Sequence, residues 1–143
     1  MKTSLRAVPD TNVIIAAENG SPTSPNKEFF IRWQNEEFAL LFSSDTLREY
    51  IKKLTERHVP REKIKQLIGA IKIMGKHISI QFFHFAHYPP DPDDIAFVLC
   101  ADNGYATHLI SYDMHLLVLQ GFYSFKICKT VEFLAELRQV VVS

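Results

Sequence analysis

Four acidic residues stand just after short apolar runs or early in the helices that follow them. Asp10 follows the run 5–8 in Val8-Pro9-Asp10-Thr11-Asn12. Glu49 lies in a helical segment after the run 38–42, and Asp94 closes Pro90-Asp91-Pro92-Asp93-Asp94. Asp113 ends Leu109-Ile110-Ser111-Tyr112-Asp113. Carboxylates brought together cannot all stay ionised unaided, because like charges raise one another's pKa unless a cation intervenes. An all-oxygen set of this kind suits Mg²⁺ or Mn²⁺ rather than zinc. Such an ion lowers the pKa of bound water and offsets charge on a phosphoryl oxygen. Hydrolysis of a phosphodiester needs little more, and no Cys, Ser or Lys nucleophile stands out in the chain.

Whether the acids meet depends on the elements that carry them. Residues 5–8, 38–42, 78–85, 108–111 and 125–128 read as strands. Helices are predicted over 25–36 (Ser24 as cap, Pro25 in the first turn), 44–57 with Ser44 as cap, 60–74, 92–101, 114–119 and from Thr130 onward. Their expected apolar faces include Phe29, Phe30 and Trp33; Leu47, Tyr50, Ile51 and Leu54; and Ile95, Ala96, Leu99 and Cys100. Strands alternating with helices imply an α/β fold, a three-layer sandwich about a central parallel sheet. Ligands bind beyond the carboxyl ends of such strands. The four acids fall at βα junctions on that one edge.

Each acid also has a purely structural reading. Asp10 before Thr11-Asn12 suits a turn, Asp91 and Asp113 suit helix caps, and Asp93 and Asp94 favour the positive end of a helix. Glu49 suits a solvated helix face. These readings do not account for one acid at each of four neighbouring strand ends.

With those pieces in order, the sequence resembles the PIN-domain family. The matching segments are Pro9-Asp10-Thr11-Asn12-Val13, Ser44-Asp45-Thr46-Leu47-Arg48-Glu49, Asp91-Pro92-Asp93-Asp94 and Ser111-Tyr112-Asp113-Met114-His115-Leu116-Leu117, with Thr130-Val131-Glu132-Phe133-Leu134 at the end. The resemblance implies a ribonuclease specific for single-stranded RNA, dependent on Mg²⁺ or Mn²⁺. It carries the four family acids onto Asp10, Glu49, Asp94 and Asp113, as metal-holding and catalytic residues. Asp91 and Asp93 are nearby contributors, and Asn12 and Ser111 occupy polar positions that orient the acids. Tyr112 stands where the family often has Gly, and His115 where it often has another acid, so both one and two ions are compatible with the pattern. The resemblance also implies a homodimer; the aromatics Phe29, Phe30 and Trp33 offer a surface for it and equally suit the core. For a small stand-alone member it implies a toxin of a toxin–antitoxin pair, with an antitoxin protein as partner.

The rest of the sequence sets bounds. The 143 residues read as one domain over 1–143, with 16 Lys plus Arg balancing 16 Asp plus Glu. A neutral chain is not a general polyanion binder, so basic character must be local. It gathers between Lys52 and Lys76, in Lys52, Lys53, Arg57, Arg61, Lys63, Lys65, Lys72 and Lys76, opposed there by Glu56 and Glu62. That region reads either as a phosphate-tracking patch or as the solvated face of two helices. Cys100 and Cys128 sit in apolar surroundings and read as buried free thiols. No apolar run reaches the ~20 residues of a membrane span, and a cytoplasmic protein is expected. The aromatic series Phe82, Phe83, Phe85 and Tyr88 is expected to pack in the core rather than stack on bases, and the histidines, including His84, His87 and His115, are expected to be structural. A non-catalytic RNA- or protein-binding module is the alternative to an enzyme. A phosphoacceptor receiver is disfavoured, because its first strand would be followed by two adjacent acids and here there is one.

Overall fold

A computed structural model describes residues 2–142. Among them are five strands and seven α-helices in alternation: β1 (Arg6–Pro9), α1 (Thr11–Asn19), α2 (Pro25–Gln34), β2 (Ala39–Phe42), α3 (Ser44–Glu56), α4 (Arg61–Met74), β3 (Lys76–His77), α5 (Ile95–Asn103), β4 (His108–Ile110), α6 (Met114–Leu117), β5 (Lys126–Cys128) and α7 (Thr130–Val142). A single 3₁₀ turn, Pro92–Asp94, leads into α5. Every strand pairing is parallel, and the order across the sheet is β3-β2-β1-β4-β5. The chain therefore builds outward from β1 to β3, then crosses back to lay β4 on the other side of β1. The crevice between β1 and β4 is the switch point where such sheets bind ligands. In a receiver of the flavodoxin-like type the second strand lies at the edge beside the first, in the order 2-1-3-4-5, which is not the order seen.

The strands are short and apolar because both faces of the sheet are covered. Val8, Leu40, Leu41, Leu109 and Ile110 are fully buried. Phe29 of α2, Phe38 and Phe133 of α7 form one aromatic cluster, with ring centroids 4.9–5.5 Å apart. Tyr50 of α3 meets Phe97 of α5 at 5.6 Å. Cys100 and Cys128 are buried free thiols, as expected. Among the described residues no helix is long and apolar enough to cross a membrane.

Several elements differ from their sequence expectations. Helix α1 is not legible in the sequence: Thr11, Val13, Ile14 and Ile15 are β-branched and favour strands, but burial of Val13 and Ile14 and the cap at Asp10 override that preference. The cap of α3 is Ser43 rather than Ser44, in a reciprocal capping box with Thr46 (Ser43 N to Thr46 Oγ1, 2.8 Å; Thr46 N to Ser43 Oγ, 3.2 Å). Ile51 of α3 is exposed. Helix α5 is apolar nearly all round, so periodicity misplaces its inner face; the buried residues are Phe97, Val98, Cys100 and Ala101.

The strand expected over 78–85 does not form; the observed β3 is Lys76–His77, just before that span, paired with Leu41 and Phe42. Beyond Ile78 a side chain takes over the backbone hydrogen bonds. Asn103 Oδ1 accepts from the amides of Gln81 (2.6 Å) and Phe82 (2.8 Å), and its Nδ2 donates to the carbonyl of Phe82 (2.9 Å). The segment is thus held without a strand neighbour, and Phe82 and Phe83 are about three-fifths exposed, contrary to the core reading. Conversely, Phe29 and Trp33 lie in the core, so the surface expected to join two copies does not exist as a whole.

Candidate active site

Asp10 leaves β1 at the switch point. Its amide donates to the Ile110 carbonyl of β4 at 2.8 Å, so the ends of the two strands are tied together. Its carboxylate caps α1: Oδ1 accepts from Thr11 N at 2.7 Å, and Oδ2 accepts from Ser111 Oγ at 2.7 Å. The Tyr50 hydroxyl, fully buried, donates to the carbonyl of Pro9 and fixes the backbone just before Asp10. Asp113 begins the turn after β4. Its amide donates to Ser111 Oγ at 3.0 Å, and its Oδ1 caps α6 by accepting from His115 N at 2.9 Å. Asn12 Oδ1 accepts from Tyr112 N at 3.4 Å and joins α1 to the same turn. Asp94 is buried at the start of α5. Asp91 caps the 3₁₀ turn by accepting from Asp93 N at 3.0 Å. The structural and functional readings of these acids therefore hold together: the caps fix the carboxylates in place.

A cleft of about 200 Å³ collects them. Asp10, Asn12, Glu49, Asp91, Asp93, Asp94 and Asp113 all line it, with Thr11, Ile15, Phe97, Lys53 and Arg57. The sequence-predicted acids are thus brought to one place; Ser111 stands behind Asp10 rather than in the wall. None of the six histidines lines the cleft. The cleft lies beyond the carboxyl ends of β1 and β4. Larger grooves elsewhere, of about 450 and 550 Å³, lie between helices and hold no comparable group of carboxylates.

Electrostatics divides the acids into two neighbouring sets. Burial, then the nearby Asp10, Asp113 and Asp91, pushes the Asp94 carboxyl up to about 8. Burial also raises Asp10, against the Ser111 and Thr11 hydrogen bonds that favour its charge; Asp113 and Asp91 add to the rise. Glu49 is raised by burial and then by Asp93, while Lys52 and Lys53 oppose the shift. Asp93 turns to α3, 3.6 Å from Lys53 Nζ and 3.9 Å from Lys52 Nζ, so it belongs with Glu49 rather than with Asp10. Among the described residues no three His, Cys, Asp or Glu side chains are gathered closely enough to hold an ion in this arrangement. The donor chemistry still fits a hard divalent cation. The donors converging here are carboxylate oxygens, and Asp94 Oδ2 is buried without any hydrogen-bond partner.

Sequence reasoning did not single out Lys53 and Arg57 as cleft residues, nor the Tyr50 support of Pro9. The available signal for the cations was their spacing from Glu49, at i+4 and i+8 on one helix face.

Parallel α/β sheets carry their ligand sites at the switch point, and the acids of this sheet stand there. The chain belongs to the PIN domain family, whose family model matches residues 6–115. The span includes Asp10, Glu49, Asp94 and Asp113. The crystal structure of PAE2754 from Pyrobaculum aerophilum is similar over 98% of this chain and 97% of that one, with 16% identity and a TM-score of 0.57, a likeness of fold. No curated protein sequence matches the chain.

Proposed function

We propose that this chain is a divalent-cation-dependent endoribonuclease that hydrolyses phosphodiester bonds of single-stranded RNA. The observation that carries the reading is Asp94: a buried carboxyl, raised to about 8 beside Asp10 and Asp113, with Oδ2 left unpartnered. A folded protein keeps such a group where something outside the chain completes it. Asp10, Asp94 and Asp113 would hold Mg²⁺ or Mn²⁺, with Glu49 facing them from α3. When bound, the ion would offset charge on the phosphoryl oxygens and ease deprotonation of a water.

The chain's own residues prepare the site. Ser111 and the Thr11 amide favour the charged form of Asp10, against its burial, and fix its orientation. Asn12 holds the turn that carries Asp113. Tyr50 fixes the backbone before Asp10 from within the core. The proposed physiological setting, supported by the family, is the toxin of a toxin–antitoxin pair, homodimeric and cytoplasmic; growth arrest on induction, relieved by Asp10→Asn, is its test.

The activity itself is tested with a mixed single-stranded RNA, Mn²⁺ or EDTA, and the Asp10→Asn and Asp94→Asn variants. Cleavage that needs the metal and both carboxylates supports the reading. Absence of cleavage by folded protein that still binds the strand would point to a binding module instead.

A further inference from the structure

Glu49, Lys53 and Arg57 stand four residues apart along α3 and its C-terminal cap, and all three line the acid cleft. A four-residue spacing keeps side chains on one face, and eight residues of helix span about 12 Å. The cleft thus has a wall that starts at a carboxylate and ends at a guanidinium.

The two cations of this wall are in different states. Lys53 Nζ is 3.6 Å from Asp93 and 3.8 Å from Glu56. Arg57 has no carboxylate partner among the described residues, although six acids line the same cleft. Its backbone amide is used, donating to the Lys53 carbonyl at 3.0 Å, but its side chain is exposed and uncommitted. An arginine offers a planar fork that matches a phosphate with two parallel hydrogen bonds. A single strand entering the acid end of the cleft would present its neighbouring phosphates along this wall.

We infer that Arg57 is a substrate-positioning residue: it takes a backbone phosphate beyond the scissile one, so that the single strand runs along α3 from Glu49 past Lys53 to Arg57. This rests on the nuclease reading. The helix rise sets the Arg57 backbone about 12 Å beyond that of Glu49, which places its guanidinium for a phosphate next to the scissile one, so it acts on binding rather than on the chemical step.

The test uses the full chain, the Arg57→Gln and Arg57→Lys variants, and an end-labelled single-stranded oligoribonucleotide. With Mn²⁺, Arg57→Gln is expected to raise KM about tenfold, the worth of one charge-assisted phosphate contact, with kcat changed less than about twofold. Arg57→Lys should recover part of the loss, because the charge returns without the fork. The effect should shrink as the substrate is shortened to a dinucleotide with a single phosphodiester. Binding is read separately, by fluorescence anisotropy in the Asp10→Asn background. There Arg57→Gln should weaken binding about tenfold and reduce the salt slope by about 0.7, one phosphate contact to a single strand. Unchanged binding in that background would overturn the inference, and so would a kcat loss of equal size on the dinucleotide. If the wild type fails to cut RNA, the nuclease reading falls, while the anisotropy comparison still decides whether Arg57 holds the strand.

Discussion

Ser111 Oγ donates to Asp10 Oδ2 at 2.7 Å and accepts the Asp113 amide at 3.0 Å, so one buried hydroxyl sets the position of two acids that lie more than a hundred residues apart in the chain. The bond crosses the switch point of the sheet. Asp10 is carried by the end of β1, and Ser111 follows β4. Because Asp10 is raised by burial, the hydrogen bonds from Ser111 and Thr11 are what favour its charged form.

Ser111→Ala follows from this. Removing the hydroxyl leaves a buried carboxylate with one donor fewer, at a cost to stability of about 1.5–3 kcal/mol for a hydrogen bond to a charged group. Loss of a residue that orients a metal-holding carboxylate should weaken Mn²⁺ binding about 10–100-fold. Thermal melts with and without Mn²⁺ separate the two effects. A variant with wild-type metal response would remove Ser111 from the site.

Asp94 makes the metal-free protein sensitive to pH. Its carboxyl is raised to about 8 in the folded chain, against an ordinary value of 3.8. The unfolded chain gives up this proton first, so stability falls as pH rises from about 4 to about 8 and then levels off. In EDTA, Asp94→Asn should therefore flatten the loss of stability that the wild type shows between pH 6 and pH 9. In the wild type a cation must displace the proton, so the melting-temperature gain from Mn²⁺ should grow over the same range and plateau above pH 8. A gain independent of pH would count against Asp94 as a metal-holding residue.

The sequence makes Asp10 and Asp113 readable because Asp10 directly follows β1 and Asp113 stands three residues past the end of β4, where a parallel sheet directs its chemistry. Asp94 is reached only through the long segment after β3, whose path depends on Asn103, a residue about twenty positions away that replaces a strand partner. No local pattern announces such a substitution, and the aromatic run 82–85 imitates a buried strand. Helix α1 was hidden for the opposite reason, since its β-branched residues suit a strand and tertiary burial, with the Asp10 cap, makes them helical. The role of Asp93 also needed coordinates. Its neighbour Asp94 is buried while Asp93 reaches Lys52 and Lys53, and a 3₁₀ turn sends adjacent side chains in different directions.

That division predicts unequal effects for two neighbouring acids. Asp93→Asn should leave metal-dependent cleavage within a few-fold of wild type, because it breaks only partly exposed ion pairs worth up to about 1 kcal/mol. Asp94→Asn should abolish it. Kinetics on the two variants, side by side, decide the matter, and equal losses would place Asp93 among the metal-holding residues after all.

At the opposite edge of the sheet, His108 predicts an acid limit unrelated to the site. Its ring is buried against Phe133, with Nε2 2.7 Å from Glu136 Oε2 and Nδ1 2.7 Å from Thr107 Oγ1. Burial lowers its pKa below 6.5, although the Glu136 hydrogen bond and charge pull the other way. The unfolded chain therefore binds this proton more readily than the folded one. Stability from His108 is full above pH 6.5 and declines as pH falls towards the lowered folded value. Glu136, lowered chiefly by the His108 hydrogen bond against its own desolvation, loses its contribution at still lower pH, as the carboxyl protonates. His108→Gln keeps a polar group at this position without a titrating ring, so it should flatten the stability profile just below pH 6.5. The Mn²⁺ response at the carboxyl ends of the strands should be unchanged. Denaturant melts of the two proteins across that interval would show it, and a wild-type profile already flat there would mean that His108 does not titrate on unfolding.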